Sequence, residues 1–480
     1  MVDTKSIEII VDEVVKKLIG QLGTGAVSSA GQSSSPSGAT SLAGVFKTID
    51  EAAEAAWQAH LKFRNSSLET RRKIIDAMRS TTLEHKEDFS RRILEETKIG
   101  RYDHKVIKHI NVANLTPGVE ELVTRCWSGD HGLTVEEYAP YGVFGAVTPV
   151  THPVETMINN GIGMLAGGNT VVFNPHPASK RVFAYALDIF NRVIQSVSGY
   201  ENLMTTIDEP TIETGRQMFV HPRVRVLLVT GGPGVVREAL KTPKKAITAG
   251  PGNPPVVVDE TAILDKAARD IVAGASFDNN VICISEKEVF VVNSVADKLI
   301  AEMKRAKCVE LTRSQIDALA AKAFPTDASG QVVLNRDMVG RDTQVLARMI
   351  GLEVPADCDL LIGETEFEHP WVQHEQMMPF LPIVRCRDVD QAIEYACQAE
   401  HEFHHTAIIH SLNVATMTKM GKLMNCSIFV KNGPSYAGLG VGGEGYTTYS
   451  IASPTGEGVT TARTFCRVVR CALIDYLRIV

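Results

Sequence analysis

The sequence predicts an α/β protein built on parallel sheets, and three observations carry that expectation. Short β-branched runs at residues 143–147, 170–173, 204–207 and 224–229 are separated by helix-length stretches, the pattern of βαβ units. The alternation restarts after Gly252: strands at 256–258 and 289–292 alternate with helices at 265–273 and 295–306, and further strands follow at 360–362, 383–384 and 407–409. With 480 residues, 44% hydrophobic and 22% charged, the chain has the length and composition of a globular protein with more than one domain.

Taken in order, residues 3–22 place Ile7, Ile10, Val11, Val14, Leu18 and Leu22 on one helical face, with Asp3 or Thr4 to cap the start and Lys16 and Lys17 near the end. Residues 23–41 are rich in Gly and Ser and read as a flexible linker. A short helix on such a tether has no core of its own to cover its apolar stripe. It therefore reads as a docking peptide, with packing on the main body as the plainer alternative. Residues 49–122 are helical in pattern, with long charged stretches at 67–78 and 80–97, and residues 135–138 form a short strand before the turn Pro140-Tyr141-Gly142. The tail, 461–480, is β-branched and basic and predicts a strand added to another subunit's sheet.

The bulk numbers exclude several classes. A net charge of -7 leaves no electrostatic footprint for nucleic acid. No apolar run is long enough to span a bilayer, and the first twenty residues mix acids and bases where a secretory signal would be apolar. Nine cysteines, an odd number without a C-x-x-C pair, argue against a disulfide framework or a zinc site and for a reducing compartment.

The chemistry is expected where strands end. Cys283 closes the stretch A-S-F-D-N-N-V-I-C-I ahead of a strand, a position that suits a thiol nucleophile held on a rigid scaffold, although a free cysteine is more often a small buried hydrophobe. Thr148-Pro149-Val150-Thr151-His152-Pro153, the Asn174-Pro175-His176-Pro177 exit and Thr230-Gly231-Gly232 each follow a predicted strand, and parallel sheets bind ligands at the carboxyl ends of their strands. A tight turn is the simpler reading of the glycines taken alone. His404 and His405 precede a strand and read as structural histidines, and the other eight cysteines as structural too.

Thr148 to Pro153, the A-G-G-N-T-V-V run, Thr230-Gly231-Gly232, the Cys283 loop and E-Q-M-M-P from Glu375 occur in the order and spacing of the aldehyde dehydrogenase superfamily. P-H-P at Pro175, G-P-G-N-P-P at Gly250, H-H-T-A at His404, K-N-G-P-S-Y-A-G at Lys431 and P-T-G-E-G at Pro454 are similar to its coenzyme A-acylating branch, and most of all to the propionaldehyde and acetaldehyde dehydrogenases of bacterial microcompartments. The resemblance covers residues 42–470. It implies the aldehyde dehydrogenase fold: a Rossmann-like NAD-binding domain over 42–249, a catalytic domain over 250–445, and a small β oligomerisation arm from 123–139 joined by the returning segment 446–480. It also implies a homo-oligomer, dimer or tetramer.

By the same resemblance Cys283 is the nucleophile and Thr151 stands where the family places an oxyanion-holding Asn. Thr148, Pro149, Asn174, His176, Pro177, Thr230, Gly231, Gly232, Gly250 and Glu375 fall at cofactor positions, Asn174 replacing a Lys and Glu375 matching the Glu on the nicotinamide ribose. Ala249 replaces the Glu with which hydrolytic relatives activate water. The implied reaction oxidises a short aldehyde, propionaldehyde first, through a Cys283 thiohemiacetal, reduces NAD, and hands the thioester to coenzyme A. An acetaldehyde-preferring enzyme, a hydrolytic aldehyde dehydrogenase and a non-catalytic scaffold are the alternatives. Residues 1–22 resemble encapsulation peptides, which implies docking on a microcompartment shell protein or other cargo, and a location in the bacterial cytoplasm within the microcompartment lumen.

Overall fold

The β-branched runs of the first alternation form a six-stranded sheet, ordered in space Val45–Phe46, Met204–Ile207, Thr170–Pro175, Val143–Thr148, Val224–Thr230, Lys245–Ala249, every pair parallel. Helices Ile49–Phe63, Pro153–Ala166, Lys180–Ser198, Ile212–Val220 and Pro233–Leu240 accompany it. Thr170–Pro175 is buried at every position, which is why it reads as a continuous apolar run and not as an alternation. The chain passes from Val143–Thr148 outward to Thr170–Pro175 and Met204–Ile207, then returns to the other side at Val224–Thr230. The direction of winding thus reverses between Val143–Thr148 and Val224–Thr230. That reversal opens a crevice at the carboxyl ends of these two strands.

The second alternation gives a seven-stranded, all-parallel sheet in the order Cys308–Glu310, Leu360–Glu364, Phe380–Cys386, Glu288–Val292, Pro255–Val258, Thr406–His410, Ile428–Lys431. The computed structural model describes residues 42–327 and 330–480. The amphipathic stretch 3–22 and the linker 23–41 lie outside the described residues. No helix among the described residues is long and apolar enough to cross a membrane.

Two expectations gain detail. The charged stretches 67–78 and 80–97 are one helix, Leu68–Thr97: Ser67 caps it by accepting the Thr70 N–H at 3.1 Å, no Gly or Pro interrupts it, and Ile74, Ile75, Met78, Phe89 and Ile93 supply one buried stripe through the whole length. The tail strand, Cys466–Ile474, finds its partner in its own chain. It pairs antiparallel with Gly132–Pro140 over nine residues, and Arg125–Gly129 completes a three-stranded sheet. The strand foreseen at 135–138 is therefore longer, because a nine-residue partner satisfies its backbone from Gly132 to Pro140.

Candidate active site

The second sheet brings its loops together at the amino ends of its strands, which corrects the expectation of carboxyl ends for this half of the molecule. Four neighbouring strands, Phe380–Cys386, Glu288–Val292, Pro255–Val258 and Thr406–His410, are preceded by Glu375, by Cys283 and Lys287, by Gly252, and by His405. Parallel strands in register put all their starting ends on one edge, so residues far apart in sequence converge there. A Cβ on Gly252 would lie 2.6 Å from the Cys283 carbonyl oxygen and 3.0 Å from His405 Cγ; only glycine permits this approach. The first sheet meets this edge with its carboxyl ends: His152, four residues past Thr148, lines the same small cavity as Cys283.

That cavity has a volume of about 40 Å³ and is walled by Phe277, Ile282, Tyr436, Leu439 and Tyr449 beside Cys283 and His152. The thiol is partly exposed to it. Burial pushes the Cys283 pKa up to about 12; the Glu375 carboxylate adds to the rise and Lys287 opposes it. Glu375 is itself held above the usual carboxylate range by burial, partly offset by Lys287 and by a hydrogen bond from the Gly252 backbone. Lys287 is fully buried and donates to the Asn280 carbonyl at 2.8 Å and to the Asn280 side-chain oxygen, so it grips the loop that carries the cysteine. Burial lowers its pKa to about 8.

Upstream of Cys283 the backbone turns through three consecutive left-handed residues, Asp278, Asn279 and Asn280, with φ of 50°, 56° and 65°. Asp and Asn tolerate this region better than other side chains do, and here their polar groups are also fully used. Asp278 contacts Lys108 at 2.7 Å and Lys105 at 3.2 Å and accepts the Arg101 N–H at 2.8 Å. Asn279 donates to Gly340 and Asp342, and Asn280 to Ala275 and Glu286. Lys108 also contacts Glu155 at 3.1 Å, without the alignment of a hydrogen bond, and donates to the Thr151 carbonyl at 3.3 Å. Burial works against the Asp278 and Glu155 charges, but the two lysines outweigh it: Asp278 is held well below the carboxylate range and Glu155 falls to about 2. His152, desolvated and facing the same lysines, drops to about 3 and is neutral.

His405 is the functional candidate that sequence reasoning set aside. It is buried, its Nδ1 meets the Thr406 hydroxyl at 2.9 Å, and its Nε2 has no partner among the described residues. Burial, with Lys287 adding to it, lowers its pKa to about 4, so the ring is neutral at neutral pH. The pairing H-H-T-A was visible in the sequence, but nothing local told which of the two histidines turns inward.

The cofactor candidates gather at the crevice of the first sheet. Thr148 ends its strand with a buried hydroxyl that has no partner among the described residues. Thr230 shares a 2.7 Å hydrogen bond with Ser450, the Gly231 N–H donates to the Ala249 carbonyl at 3.1 Å, and Gly232, at the start of Pro233–Leu240, faces open space, as does Gly234. An unsatisfied hydroxyl and an open glycine turn at a topological switch point fit a dinucleotide. Pro149 is half-buried beside them, and a Cβ on Gly250 would lie 3.0 Å from the Pro454 ring. His176 and Pro177 are exposed, with Pro177 opening a short 3-10 turn. Asn174 is engaged within the chain: its amide donates to the Thr211 carbonyl and accepts from the Thr214 hydroxyl. Thr151 is buried and held through its carbonyl by Lys108, while its neighbour His152 lines the cavity. Ala249 is also buried, three residues from the Gly252–Cys283 contact.

A thiol in the wall of a small apolar cavity, between a crevice at a topological switch point and four converging loops, is the layout of a two-sheet α/β enzyme with Cys283 as its candidate nucleophile. Comparison with known proteins makes this specific. The sequence profile of the aldehyde dehydrogenase family matches residues 34–315. The chain is 45% identical over 433 residues to propanal dehydrogenase (CoA-propanoylating) of Citrobacter freundii, covering 90% of this chain and 93% of that protein. It is 47% identical over 450 residues to acetaldehyde dehydrogenase (acetylating) EutE of Salmonella typhimurium, covering 93% and 96%. Among solved structures, a propionaldehyde dehydrogenase from the Clostridium phytofermentans fucose utilisation bacterial microcompartment superposes with a TM-score of 0.89 at 46% identity, covering 91% of this chain and all of that one. The chain belongs to the aldehyde dehydrogenase family.

Proposed function

We propose that the protein oxidises a short aliphatic aldehyde, propionaldehyde foremost, to an acyl thioester on Cys283 and transfers the acyl group to coenzyme A. The observation that carries this reading is Ala249. At a buried position three residues before Gly252, which closely approaches the Cys283 carbonyl, a methyl group stands where a water-activating carboxylate is needed for hydrolysis. A thioester formed there waits for a better nucleophile than water, and a thiol accepts it at little thermodynamic cost. The relatives named for CoA-propanoylating and acetylating activity support the same assignment.

Cys283 gives up its thiol proton to water and adds its sulfur to the carbonyl carbon; the carbonyl π electrons move to the oxygen, which is held, now negative, by the Cys283 backbone N–H and Thr151. Lys287 fixes the carbonyls of the loop, and its positive charge works against the high pKa of the thiol. NAD, when bound at Thr148, Pro149, Thr230, Gly231 and Gly232 with Glu375 on the opposite side, supplies the hydride acceptor. His405, neutral and with a free Nε2, takes the proton from the incoming coenzyme A thiol, whose sulfur then bonds to the acyl carbon as the Cys283 sulfur leaves as a thiolate. The cavity of about 40 Å³ has room for roughly three water-sized groups, which favours two- and three-carbon aldehydes. Acetaldehyde is therefore the second reading.

With propanal and NAD, NADH formation is expected to require coenzyme A, and full-rate turnover without it would refute the acylating assignment. Cys283→Ala is expected to abolish turnover while leaving NAD binding intact. His405→Asn is expected to spare the first burst of NADH and slow acyl transfer about 100-fold, the scale of a lost general base. Comparing kcat/KM across a series of linear aldehydes ranks propanal against acetaldehyde. The arm formed by Arg125–Gly129, Gly132–Pro140 and Cys466–Ile474 is assigned to oligomerisation, and residues 1–22 to docking in a microcompartment. Deleting residues 1–22 is expected to leave turnover unchanged and to abolish co-purification with shells.

A further inference from the structure

A cleft of about 830 Å³ opens at the starting ends of the strands in the six-stranded sheet, the opposite end from Thr148 and Thr230. Val224 and Lys245 are the first residues of their strands, Tyr141 precedes a third, and Trp57 and His60 reach in from Ile49–Phe63. Six cations surround it: Arg64, Arg223, Arg225, Lys244, Lys245 and Arg467, from four separate parts of the chain. None of the lining residues is acidic. Arg223 alone is ion-paired, to Glu54 at 2.9 Å; among the described residues no carboxylate lies within 4.0 Å of the other five cationic groups. Such a concentration is anomalous in a chain whose net charge is -7.

The cations lean on weaker partners instead. Arg223 sits over the Trp57 ring at 5.2 Å and Lys245 over Tyr141 at 5.2 Å, and Lys245 also donates to the Tyr141 hydroxyl at 3.2 Å. Lys244 donates to the His221 carbonyl, and Arg467 to the Pro140 carbonyl. Burial first, and the nearby Arg225 second, lower the Lys244 pKa to about 8. Converging positive groups of this kind raise the local concentration of anions, and arginine forks match phosphate oxygens two at a time.

We propose that this cleft is a second ligand site, separate from the Cys283 site, for a compact polyanion carrying at least two phosphate groups. A monocarboxylate would neutralise too little of the charge, and the volume falls within the range of small-molecule pockets, roughly 300–1,000 Å³. The same phosphate chemistry is offered by a nucleoside triphosphate and by inorganic tripolyphosphate, and the two are separable by experiment.

The test is calorimetric titration of the full chain with sodium tripolyphosphate, and separately with ATP in the presence of saturating NADH. Tripolyphosphate is expected to bind, at least about tenfold more weakly when ionic strength rises from about 50 to about 200 mM. The double substitution Arg225→Ala, Lys244→Ala should weaken binding by roughly tenfold or more, and Arg467→Ala, from a different element, should weaken it in the same direction. Unchanged melting temperature and unchanged aldehyde turnover identify variants that remain folded. Equal affinity for both probes assigns the inorganic class; tighter ATP binding that falls to the tripolyphosphate value in Trp57→Ala assigns a nucleotide. No heat at about 1 mM tripolyphosphate, or affinity undiminished in both the double variant and Arg467→Ala, overturns the proposal.

Discussion

The two flanks of the cysteine loop handle buried charge in opposite ways. On the upstream side, Lys105 and Lys108 meet Asp278 and Glu155 at contact distance, two charges of each sign, and both carboxylates are driven below their ordinary range. On the downstream side, Glu286, Lys287, Glu288 and Glu375 are also desolvated, yet no carboxylate among them forms an ion pair with Lys287. Glu286 accepts instead from the Ser435 N–H and hydroxyl, at 2.8 and 2.9 Å, and Glu288 has no partner among the described residues. There burial dominates: Glu286 rises to about 7, Glu288 well above its usual value, and Lys287 falls to about 8. Direct pairing fixes ionisation and geometry together, whereas unpaired burial leaves groups that change charge near neutral pH.

The largest test of this contrast is Asp278→Ala. It leaves Lys105 and Lys108 without the shared carboxylate and should cost about 3–5 kcal/mol of stability, read by denaturant unfolding, with turnover lost in parallel. Glu286→Gln addresses the other flank through pH. The folded-state pKa of Glu286 lies above its ordinary value of 4.5, so its contribution to stability is fully present below pH 4.5 and is lost as pH rises through 7. Relative to wild type, the variant should gain stability between pH 5 and 8, by at most about 3 kcal/mol, seen as a flatter melting temperature against pH. Asp278 and Glu155 have the opposite sign: their depressed values contribute stability above the ordinary carboxylate range that is lost only in strong acid.

A smaller effect is expected from Lys287→Met, which keeps the bulk but removes the donor to Asn280. Turnover should fall about tenfold, with less loss of stability than Asp278→Ala, since carbonyls and not an ion are left unpaired. Equal losses of stability in the two variants would erase the distinction between the flanks. Smallest of all is Glu288→Gln: burial raises the pKa of this side chain well above the usual carboxylate value and so favours its neutral form, which Gln matches in size and charge, and unfolding at pH 7 should change less than in any of the other variants.

Cys283 and the strand ends at Thr148 and Thr230 were legible because their signals are local: a polar turn before a β-branched run, and glycines or prolines after one. The flanks were not. Lys105 and Lys108 lie in Y-D-H-K-V-I-K-H, which reads as an ordinary solvated helix face, and their burial depends on Asp278, 173 residues from Lys105. Ser285-Glu286-Lys287-Glu288 reads as an exposed charged turn, yet all four residues are buried, because neighbouring parallel strands surround the approach to Glu288–Val292. The direction of the second sheet was equally hidden, since strand order comes from long-range pairing and leaves no mark on a single segment.

The three left-handed residues before Cys283 also bear on when the thiol becomes an enzyme's thiol. Their conformation is locked by Arg101, Lys105 and Lys108 on one side and by Gly340 and Asp342 on the other, so the loop cannot close until the chain has been made well beyond the cysteine itself. On the ribosome Cys283 emerges as an ordinary free cysteine. Its high pKa and its place in the cavity wall arrive only with the finished fold.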